Sequence, residues 1–374
     1  MTKFIHKIMI NIGITINTLK NFEEKMYING IYQNIMFLYN YFTAHINYNV
    51  VFVSNNKNDK YNSILLSDIH KYEELDYLFI IGTFPLDLEE IFEKTKVIWW
   101  HLGNDYIYET SSILKNTDVF TNLRLSSDKF HEVWISPHFE YSIDYYKYIY
   151  SKNEIFVAPY IWSSDYMEKP YTHFNNEHLN IGVFESNINY GKTCFVPVMV
   201  CEKARNIIDK AMICGSKKLY ARSENFRAFA AKSKMVNEKR LTFEDRHRFK
   251  YVMDNYCNVV VSFVENWDLN YLHLECFYLG IPLIHNSKML KEWGYYYDGY
   301  NVDAAYEHIK WLKVKGNFSR EKYIERHKPL LKKYSMENTE YQQFFEKRLL
   351  NLSNDSTIDE DTSGFDDRTD SDCE

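Results

Sequence analysis

The stretch that decides the fold covers residues 258–286 and reads Asn258-Val-Val-Val-Ser-Phe-Val-Glu-Asn-Trp-Asp-Leu-Asn-Tyr-Leu-His-Leu-Glu-Cys-Phe-Tyr-Leu-Gly-Ile-Pro-Leu-Ile-His-Asn286. It begins with a continuous apolar run at residues 259–261, which predicts a buried parallel strand. A polar turn follows at residues 265–268. The pattern therefore predicts a strand whose carboxyl end opens directly into a loop and then a helix.

The predicted helix carries Asn270 near its start and Glu275 about one turn further along. Gly280 ends it, Pro282 prevents its continuation, and residues 283–284 begin another buried strand. In open α/β sheets, ligands bind at the carboxyl ends of strands, against helix N-termini. We therefore expect the Glu275 carboxylate to be able to contact a bound ribose there.

Short apolar runs alternate with amphipathic segments on both sides of this stretch. Such alternation predicts right-handed βαβ units and parallel sheets that are covered on both faces. The further predicted strands cover residues 8–16, 50–53, 78–81, 97–100, 133–135, 156–158, 179–184, 211–214 and 241–243.

A chain of 374 residues exceeds one core of ordinary size, so we expect two α/β domains. The polar residues 163–178 predict a linker between them, and helical segments broken near Pro329 should follow the second. The predicted units are an N-terminal Rossmann-like domain, a C-terminal Rossmann-like domain, a helical segment and an acidic tail, with limits 1–165, 166–318, 319–351 and 352–374.

The acidic residues are concentrated at the C-terminus. The formal charge is −7, but residues 352–374 hold nine acids and one arginine, which leaves the body of the chain close to neutral. A near-neutral body is not typical of general nucleic-acid binders. The tail should be disordered, and it either solvates the protein or recruits a partner.

Cysteine spacing and hydropathy indicate a soluble protein of a reducing compartment. None of the six cysteines forms a Cys-x-x-Cys pair, so we expect buried thiols and no zinc site. No segment is apolar for long enough to span a bilayer. The N-terminus predicts a first β-strand and not a signal peptide, which favours a cytoplasmic location.

Two doubly wound domains, a short linker and leftover C-terminal helices resemble the architecture of GT-B glycosyltransferases. The opening stretch is similar to the motif of retaining members, which is Glu, seven residues, Glu, then a helix, Gly, one residue and Pro. Glu275 matches the second glutamate, and Gly280 and Pro282 stand in the matching places. Trp267 stands where the first glutamate is expected, which leaves the contact to the donor sugar and the identity of that sugar open.

Three further segments, residues 184–192, 269–271 and 293–297, resemble an uncharacterised family of bacterial and giant-virus glycosyltransferase-like proteins. This resemblance covers most of residues 8–315. It implies two Rossmann-like domains facing across a cleft and transfer of a sugar from a nucleotide-sugar. It also suggests a viral protein, located in the host cytoplasm or the virion.

The resemblance implies a donor site on the C-terminal domain, with Glu275 on the ribose. In this class, a Lys or Arg in the loop after the first strand of that domain resembles a clamp on the diphosphate. Lys192 follows Gly191 at the predicted helix start, where helix amides would assist it. The backbone amides of Asn270 and Tyr271 are expected to face a phosphate or sugar, or Asn270 simply caps the helix.

Other loop residues have two interpretations each. Glu185 and Asn187 orient the donor sugar or shape a turn. Arg246 adds a second positive charge to the diphosphate or pairs with Glu244 or Asp245. Loop residues 233–240 are expected near the nucleotide base.

Polar residues at strand ends of the N-terminal domain predict the acceptor side. His101 and Asp105 should point into the cleft, where an inverting enzyme needs a general base for the acceptor hydroxyl. In a retaining enzyme, His101 would hold the donor sugar; the alternative is a satisfied histidine near the core edge. His138 is a parallel case, Asn104 belongs to the same loop as Asp105, and Gly13 fits a tight loop under the acceptor.

The sequence therefore predicts a glycosyltransferase without cofactor whose substrates are a nucleotide-sugar and a glycan, protein or small-molecule acceptor. No Asp-x-Asp motif is present, so metal independence is expected. An inactive sugar-binding or assembly protein and a DNA base glucosyltransferase are the alternatives. The latter would use a basic stripe, for which the candidates are Lys217, Lys218, Arg222, Arg227, Lys232 and Lys234, but a solvated helix face explains these residues more simply. Glu275→Ala is expected to abolish nucleotide binding and to preserve the fold.

Overall fold

The computed structural model describes residues 9–71, 74–82, 95–114, 127–167, 177–315 and 318–358. The first sheet is parallel and reverses its strand order between its first and fourth strands, which is the topological switch point of a doubly wound fold. In chain order its strands are β1 (Ile10–Ile16), β2 (Tyr48–Ser54), β3 (Ser63–Leu65), β4 (Tyr77–Ile81), β5 (Lys96–His101), β6 (Glu132–Ile135) and β7 (Phe156–Val157). Their spatial order is β3-β2-β1-β4-β5-β6-β7.

The second sheet is also parallel and has its own switch point. In chain order its strands are β8 (Asn180–Val183), β9 (Lys210–Ile213), β10 (Leu241–Phe243), β11 (Val259–Val261), β12 (Leu283–His285) and β13 (Tyr295–Tyr296). Their spatial order is β10-β9-β8-β11-β12-β13, so the order reverses between β8 and β11. The predicted pair of doubly wound sheets is confirmed, whereas the short edge strands β3 and β13 were not predicted.

Helices connect the strands and cover the sheets. The four in the first domain are α1 (Phe22–Met26), α2 (Gly30–Thr43), α3 (Asp105–Leu114) and α4 (Ile143–Tyr150), counted over the described residues. The second domain and the C-terminal segment add α5 (Phe195–Lys203), α6 (Lys217–Arg222), α7 (Glu224–Ala230), α8 (Lys234–Asn237), α9 (Phe249–Asn255), α10 (Tyr271–Leu279), α11 (Val302–Lys315), α12 (Arg320–Tyr334) and α13 (Thr339–Ile358).

Alternate residues of β5 serve the two faces of the first sheet. Trp99 packs against Tyr150 of α4, with ring centroids 4.9 Å apart. Trp100 belongs to the core on the opposite face, where its ring lies 5.9 Å from that of Trp134. Because both faces are buried, the strand is apolar at successive positions, which is the signal that predicted it.

Gly13 lies inside β1, where it pairs with Val51 of β2 and Leu78 of β4. A Cβ atom at this position would come within 2.9 Å of the Leu78 side chain. The glycine therefore permits close packing within the sheet. The prediction of a tight loop under the acceptor is wrong for this residue.

The C-terminal segment departs from its predicted limits. Helix α12 continues through Pro329 to Tyr334, so the break comes later than expected. Helix α13 extends to Ile358, so residues 352–358 are helical and only 359–374 of the predicted disordered tail lie outside the described residues. Part of the predicted linker, residues 168–176, also lies outside them, and the domain limits stay predictions.

Helix α13 returns to the first sheet. The Tyr77 hydroxyl of β4 donates a hydrogen bond to the Leu349 carbonyl at 2.6 Å. Phe345 packs against Phe42 and Trp134, at centroid distances of 5.0 and 5.8 Å. The chain thus crosses between the two domains twice, once after β7 and once before α13.

Removing the charge of Arg348 should destabilise this docking. Arg348 pairs with Glu132, which is only 5% exposed and also accepts a hydrogen bond from Trp134 Nε1 at 2.6 Å. Arg348→Met leaves a buried carboxylate without its cation, so we expect a loss of about 3 kcal/mol in the free energy of unfolding, measured by urea titration. Lys60→Met, at an ion pair that is more than half exposed, is the control and should have little effect. Equal effects of the two substitutions would contradict the prediction.

Two predictions about the whole chain are also testable on the described residues. Five cysteines are buried and unpaired, as predicted, and Cys373 lies outside the described residues. Within the described ranges, no helix is both long and apolar enough to cross a bilayer.

Candidate functional site

A cavity of about 340 Å³ lies between the two domains, at the carboxyl ends of both sheets. The first domain contributes the start of α2 and the loops after β5 and β6. The second contributes the loops after β8, β9 and β10 and the start of α10. Glu275, Lys192 and Arg246 all line this cavity, so the structure brings together three side chains that are far apart in sequence.

Helix α10 begins and ends as its sequence predicts. The Asn270 side chain accepts a hydrogen bond from the Leu272 amide at 3.3 Å, so Asn270 is the N-cap. Gly280 adopts a left-handed conformation with φ of 71°, which ends the helix. The Tyr271 hydroxyl lies 2.5 Å from Asn34 Oδ1 and 2.9 Å from the Ile161 carbonyl oxygen, and its single proton is donated to either acceptor. The Tyr271 side chain therefore ties the helix to the first domain.

Glu275 is buried, with 6% of its surface exposed. Its Oε1 atom accepts hydrogen bonds from Gln33 Nε2 at 2.9 Å and from the Tyr166 hydroxyl at 2.5 Å. Burial raises the pKa of Glu275, and these two hydrogen bonds oppose the shift. A buried carboxylate that borders a cavity can accept hydrogen bonds from the hydroxyl groups of a ligand.

Lys192 is held by a tight loop and not by the start of a helix. The Asn187 amide donates to the Lys192 carbonyl at 3.0 Å, and Lys192 forms an antiparallel bridge with Val264 after β11. Asn187 adopts a left-handed backbone, and its Oδ1 accepts from the Cys194 amide at 2.8 Å. Asn187 therefore shapes the turn, and α5 starts at Phe195, three residues later than predicted.

The Lys192 ammonium is available to a ligand. It lies 5.1 Å from the centroid of the Trp267 ring, and no ion pair engages it among the described residues. Burial lowers the pKa of Lys192 to about 8; Glu185 opposes this shift, and Arg246 adds to it by repulsion. An anion in the cavity would meet a partly desolvated cation.

Trp267 occupies the position at which the GT-B motif has its first glutamate. Its ring contacts Tyr108 and Phe139 of the first domain edge-on, with centroids 5.8 and 5.4 Å apart. A Cβ atom at Gly191 would lie only 2.5 Å from the Trp267 ring. The glycine before Lys192 therefore allows the loop to approach the tryptophan.

This close approach predicts a specific cost for Gly191→Ala. The added methyl group would force the loop away from Trp267, and we expect a loss of about 1–3 kcal/mol in the free energy of unfolding by urea titration. Gly30→Ala is the matched control, because a Cβ atom there would meet its nearest neighbour at 3.9 Å. A Gly191→Ala protein as stable as Gly30→Ala would contradict the described approach.

Arg246 is the second cation of the cavity. It is exposed, and no ion pair holds it in the part of the chain that the structure describes. Asp245, one of its two expected partners, pairs with Lys217 at 2.9 Å. Arg246 also borders an adjoining cavity of about 590 Å³, whose lining includes Glu275, Tyr27 and Phe249.

His138 lines the same cavity from the first domain. It is 5% exposed, and neither ring nitrogen has a hydrogen-bond partner among the described residues. Burial lowers the pKa of His138 well below its usual range, and the nearby Lys192 charge adds to this shift. A neutral imidazole that can donate at one nitrogen and accept at the other therefore borders the cavity near Lys192.

Three other predicted acceptor-side residues do not line this cavity. His101 packs between Trp99 and Tyr150, and its Nδ1 contacts Asp105, so both side chains belong to the layer beneath α4. Asn104 caps α3 and donates to the Asn266 carbonyl at 3.1 Å, which links the two domains. The expectation that His101 and Asp105 point into the cleft is wrong, because His101 shares the sheet face of Trp99.

Two predicted donor-side segments also lie elsewhere. Glu185 is buried, and its Oε1 accepts from Ser262 Oγ at 2.7 Å and from the Phe263 amide at 3.0 Å. It therefore joins β8 to β11. Residues 233–240 contain α8 and line neither of the two cavities, so the expectation of base contacts from this loop is not supported.

The sequence did not indicate the contribution of α2 and its neighbours. Asn29 caps α2 by accepting from the Ile31 amide at 3.0 Å, and Gly30 and Gln33 line the cavity. The Asn-Gly pair before an amphipathic stretch was a readable capping signal. The approach of Gln33 to Glu275, 242 positions away, left no local signal.

Solved structures share this architecture over nearly the whole chain. A glycosyltransferase from Rickettsia africae ESF-5 is 12% identical, with a TM-score of 0.55 over 91% of this chain and 99% of that chain. HepE from Anabaena, solved with UDP-glucose, is 10% identical, with a TM-score of 0.55 over 90% and 98%. Sucrose-phosphate synthase from Thermosynechococcus elongatus is 12% identical, with a TM-score of 0.54 over 92% and 100%. At these identities the likeness establishes the fold, which is GT-B as predicted.

Sequence comparison places the chain in a family without an assigned activity. No curated protein matches it. The family model described as "Protein of unknown function (DUF2827)" matches residues 12–349, which is most of both domains and of α13. The chain therefore belongs to the DUF2827 family.

Proposed function

We propose that this protein is a glycosyltransferase that moves a sugar from a nucleotide-sugar donor to an acceptor. The observation that carries the proposal is the meeting of Lys192, Arg246 and Glu275 in one cavity between the two domains. The GT-B fold supports it, because HepE, which shares the fold, was solved with UDP-glucose. Fold alone does not give function, so the argument depends on the side chains.

Each of the three side chains matches one part of a nucleotide-sugar. Two cations without ion-pair partners among the described residues suit a diphosphate, whose charge grows as the sugar departs. The carboxylate of Glu275 suits the ribose hydroxyls. With the ribose at Glu275, the base would extend into the adjoining cavity that Glu275 and Arg246 also line.

His138 suits the sugar end of the donor. Its two free nitrogens can accept and donate hydrogen bonds to sugar hydroxyls, or one can accept the proton of an acceptor hydroxyl. We assign it the role that the sequence gave to His101. The acceptor, a glycan, protein or small molecule, would enter from the side of the first domain.

Stereochemistry and metal use follow less directly from the site. The places of Glu275, Gly280 and Pro282 favour retention, whereas Trp267 supplies no carboxylate at the first motif position. We expect turnover without a metal ion. Activity that EDTA abolishes and added divalent metal restores would contradict metal independence.

Thermal unfolding with a panel of nucleotides and nucleotide-sugars tests the proposal. A ligand at one hundred times its dissociation constant stabilises the folded state by about 2.7 kcal/mol, which gives a measurable rise in melting temperature. We expect at least one nucleoside diphosphate and its sugar conjugate to produce this rise. The absence of any rise at millimolar ligand would contradict the proposal.

Trp267 favours one alternative, a GT-B-derived sugar-binding or assembly protein without catalysis. Such a protein would show no nucleotide-dependent rise in melting temperature, so the same panel separates the two. The nucleic-acid alternative has less support. Of its basic stripe, Lys217 pairs with Asp245 and Arg227 donates to the Ala221 carbonyl at 2.8 Å, as on a solvated helix face.

A further inference from the structure

The carboxylate expected to bind ribose is held by one side chain of the first domain and one of the predicted linker, residues 163–178. Gln33 belongs to α2 of the first domain, and Tyr166 packs on the same helix, with its ring 5.4 Å from that of Phe37. Gln33 Nε2 donates to Glu275 Oε1 at 2.9 Å and to the Tyr166 hydroxyl at 3.1 Å. The Tyr166 hydroxyl in turn donates to Glu275 Oε1 at 2.5 Å.

In this triangle of Gln33, Tyr166 and Glu275, every donor hydrogen of the Gln33 amide and the Tyr166 hydroxyl has an acceptor. The two hydrogens of the Gln33 amide have two acceptors, and the Tyr166 hydroxyl both accepts and donates. A buried carboxylate is costly unless hydrogen bonds stabilise its ionised form, and both bonds here end on Oε1. The Oε2 atom has no hydrogen bond from a described residue, and Glu275 borders both cavities.

We propose that Gln33 and Tyr166 are positioning residues that orient Glu275 for ribose only when the two domains are closed. This inference rests on the proposed function and deepens it. Ribose binding then depends on domain closure, because the orientation of Glu275 depends on a contact across the cleft. Opening of the cleft would separate Gln33 from Glu275 and release the carboxylate from its orientation, so ribose binding and closure favour each other.

The contacts to the ribose and the contacts to the diphosphate should respond differently to a change at Gln33. Lys192 and Arg246 have no contact with Gln33 or Tyr166 in the described hydrogen bonds and ion pairs. Disturbing Gln33 should therefore weaken ligands that carry ribose hydroxyls and spare those that lack them. A disturbance of the site that does not act through Glu275 would weaken both kinds of ligand alike.

Gln33→Met tests the inference, because methionine has a similar size and no donor. We would measure the affinities of UDP, 2′,3′-dideoxyuridine diphosphate and inorganic pyrophosphate by calorimetry on the full chain. The expected result is about tenfold weaker UDP binding with unchanged binding of the other two probes. Tyr166→Phe is a second variant and should give the same selective loss if Gln33→Met does not fold.

Asn34→Ala is the matched control, since Asn34 lies on the same helix and accepts the cross-domain hydrogen bond of Tyr271. Asn34→Ala keeps the Gln33 amide, and the Tyr271 hydroxyl can still donate to the Ile161 carbonyl, so this variant should not reproduce the selective loss of UDP affinity. UDP binding that is unchanged or tightened by Gln33→Met would overturn this inference alone. A different nucleoside diphosphate that binds the wild-type protein would replace UDP in this test. Failure of the wild-type protein to bind any nucleoside diphosphate would overturn the inference together with the proposed function.

Discussion

Lys192→Met should lower the affinity for UDP about 100-fold. The substitution removes a partly buried charge-assisted contact to the diphosphate, worth about 3 kcal/mol, and keeps the length of the side chain. Arg246 remains in the cavity, so some binding should survive. Calorimetry or the nucleotide-dependent melting temperature measures the loss, and inorganic pyrophosphate should show the same loss as UDP.

The pH dependence of binding should identify Lys192 as the responsible group. Its pKa lies near 8 because burial disfavours the charged form, so the ammonium is protonated below that pH and neutral above it. Affinity for UDP should therefore be highest below pH 8 and fall by up to about tenfold per pH unit above it. The titratable and charged groups that interact with Lys192 are Glu185, Arg246, His138 and His273.

A pair of variants controls this prediction. Lys192→Arg keeps a permanent charge, so its UDP affinity, even if lower, should no longer fall above pH 8. Lys217→Met removes a surface lysine that pairs with Asp245 outside both cavities and should leave UDP affinity unchanged. A Lys192→Met protein that binds UDP within twofold of the wild type would refute the assignment of the diphosphate site.

Glu275→Gln should weaken UDP binding about 30-fold and leave pyrophosphate binding unchanged. Glutamine keeps the shape but loses the charge, so its hydrogen bonds to ribose hydroxyls weaken by about 2 kcal/mol. The contrast between the two probes assigns the loss to the ribose and not to the cations. Equal losses for UDP and pyrophosphate would indicate a general disturbance of the cleft.

The structure revises what Glu275→Ala should do. The sequence predicted a preserved fold, but alanine would leave the Gln33 amide and the Tyr166 hydroxyl without their buried acceptor. Each unpaired group costs about 1–3 kcal/mol, so we expect a clear loss in the free energy of unfolding by urea titration. A fully stable Glu275→Ala protein would contradict the described hydrogen bonds.

The fold was predictable because its signals are local. Continuous apolar runs marked the long parallel strands, and Asn270 and Gly280 marked the ends of α10. The rule that ligands bind at the carboxyl ends of strands selected Glu275, and the resemblance to GT-B glycosyltransferases added Lys192 and Arg246. Two-residue edge strands such as β13 carry too little pattern to be recognised.

The direction in which a side chain points could not be predicted from the sequence. His101 and His138 both follow predicted strands, and nothing local distinguishes them. In the structure, His101 continues the alternation of β5 and shares the face of Trp99, whereas His138 lies beyond the end of β6 and turns into the cavity. His101 is the last residue of its strand and His138 lies three residues past the end of its own, and this difference decides which histidine lines the cavity.

Contacts between residues that are far apart in the sequence could not be predicted either. Glu275 was expected to find its hydrogen bonds in a ribose, but it also has Gln33 and Tyr166, which the fold brings near from distant parts of the sequence. Similarly, Gly13 fits a loop by composition, yet its neighbours Val51 and Leu78 explain it as a packing residue. Such roles depend on the fold and leave no mark in nearby residues.

A crystal structure with UDP bound is the most direct test of the donor site. We expect diphosphate oxygens within roughly 3 Å of Lys192 Nζ and the Arg246 guanidinium, and ribose hydroxyls at a similar distance from the Glu275 carboxylate. Nucleotide density outside the cavity between the two sheets, or a diphosphate out of reach of Lys192, would contradict the account.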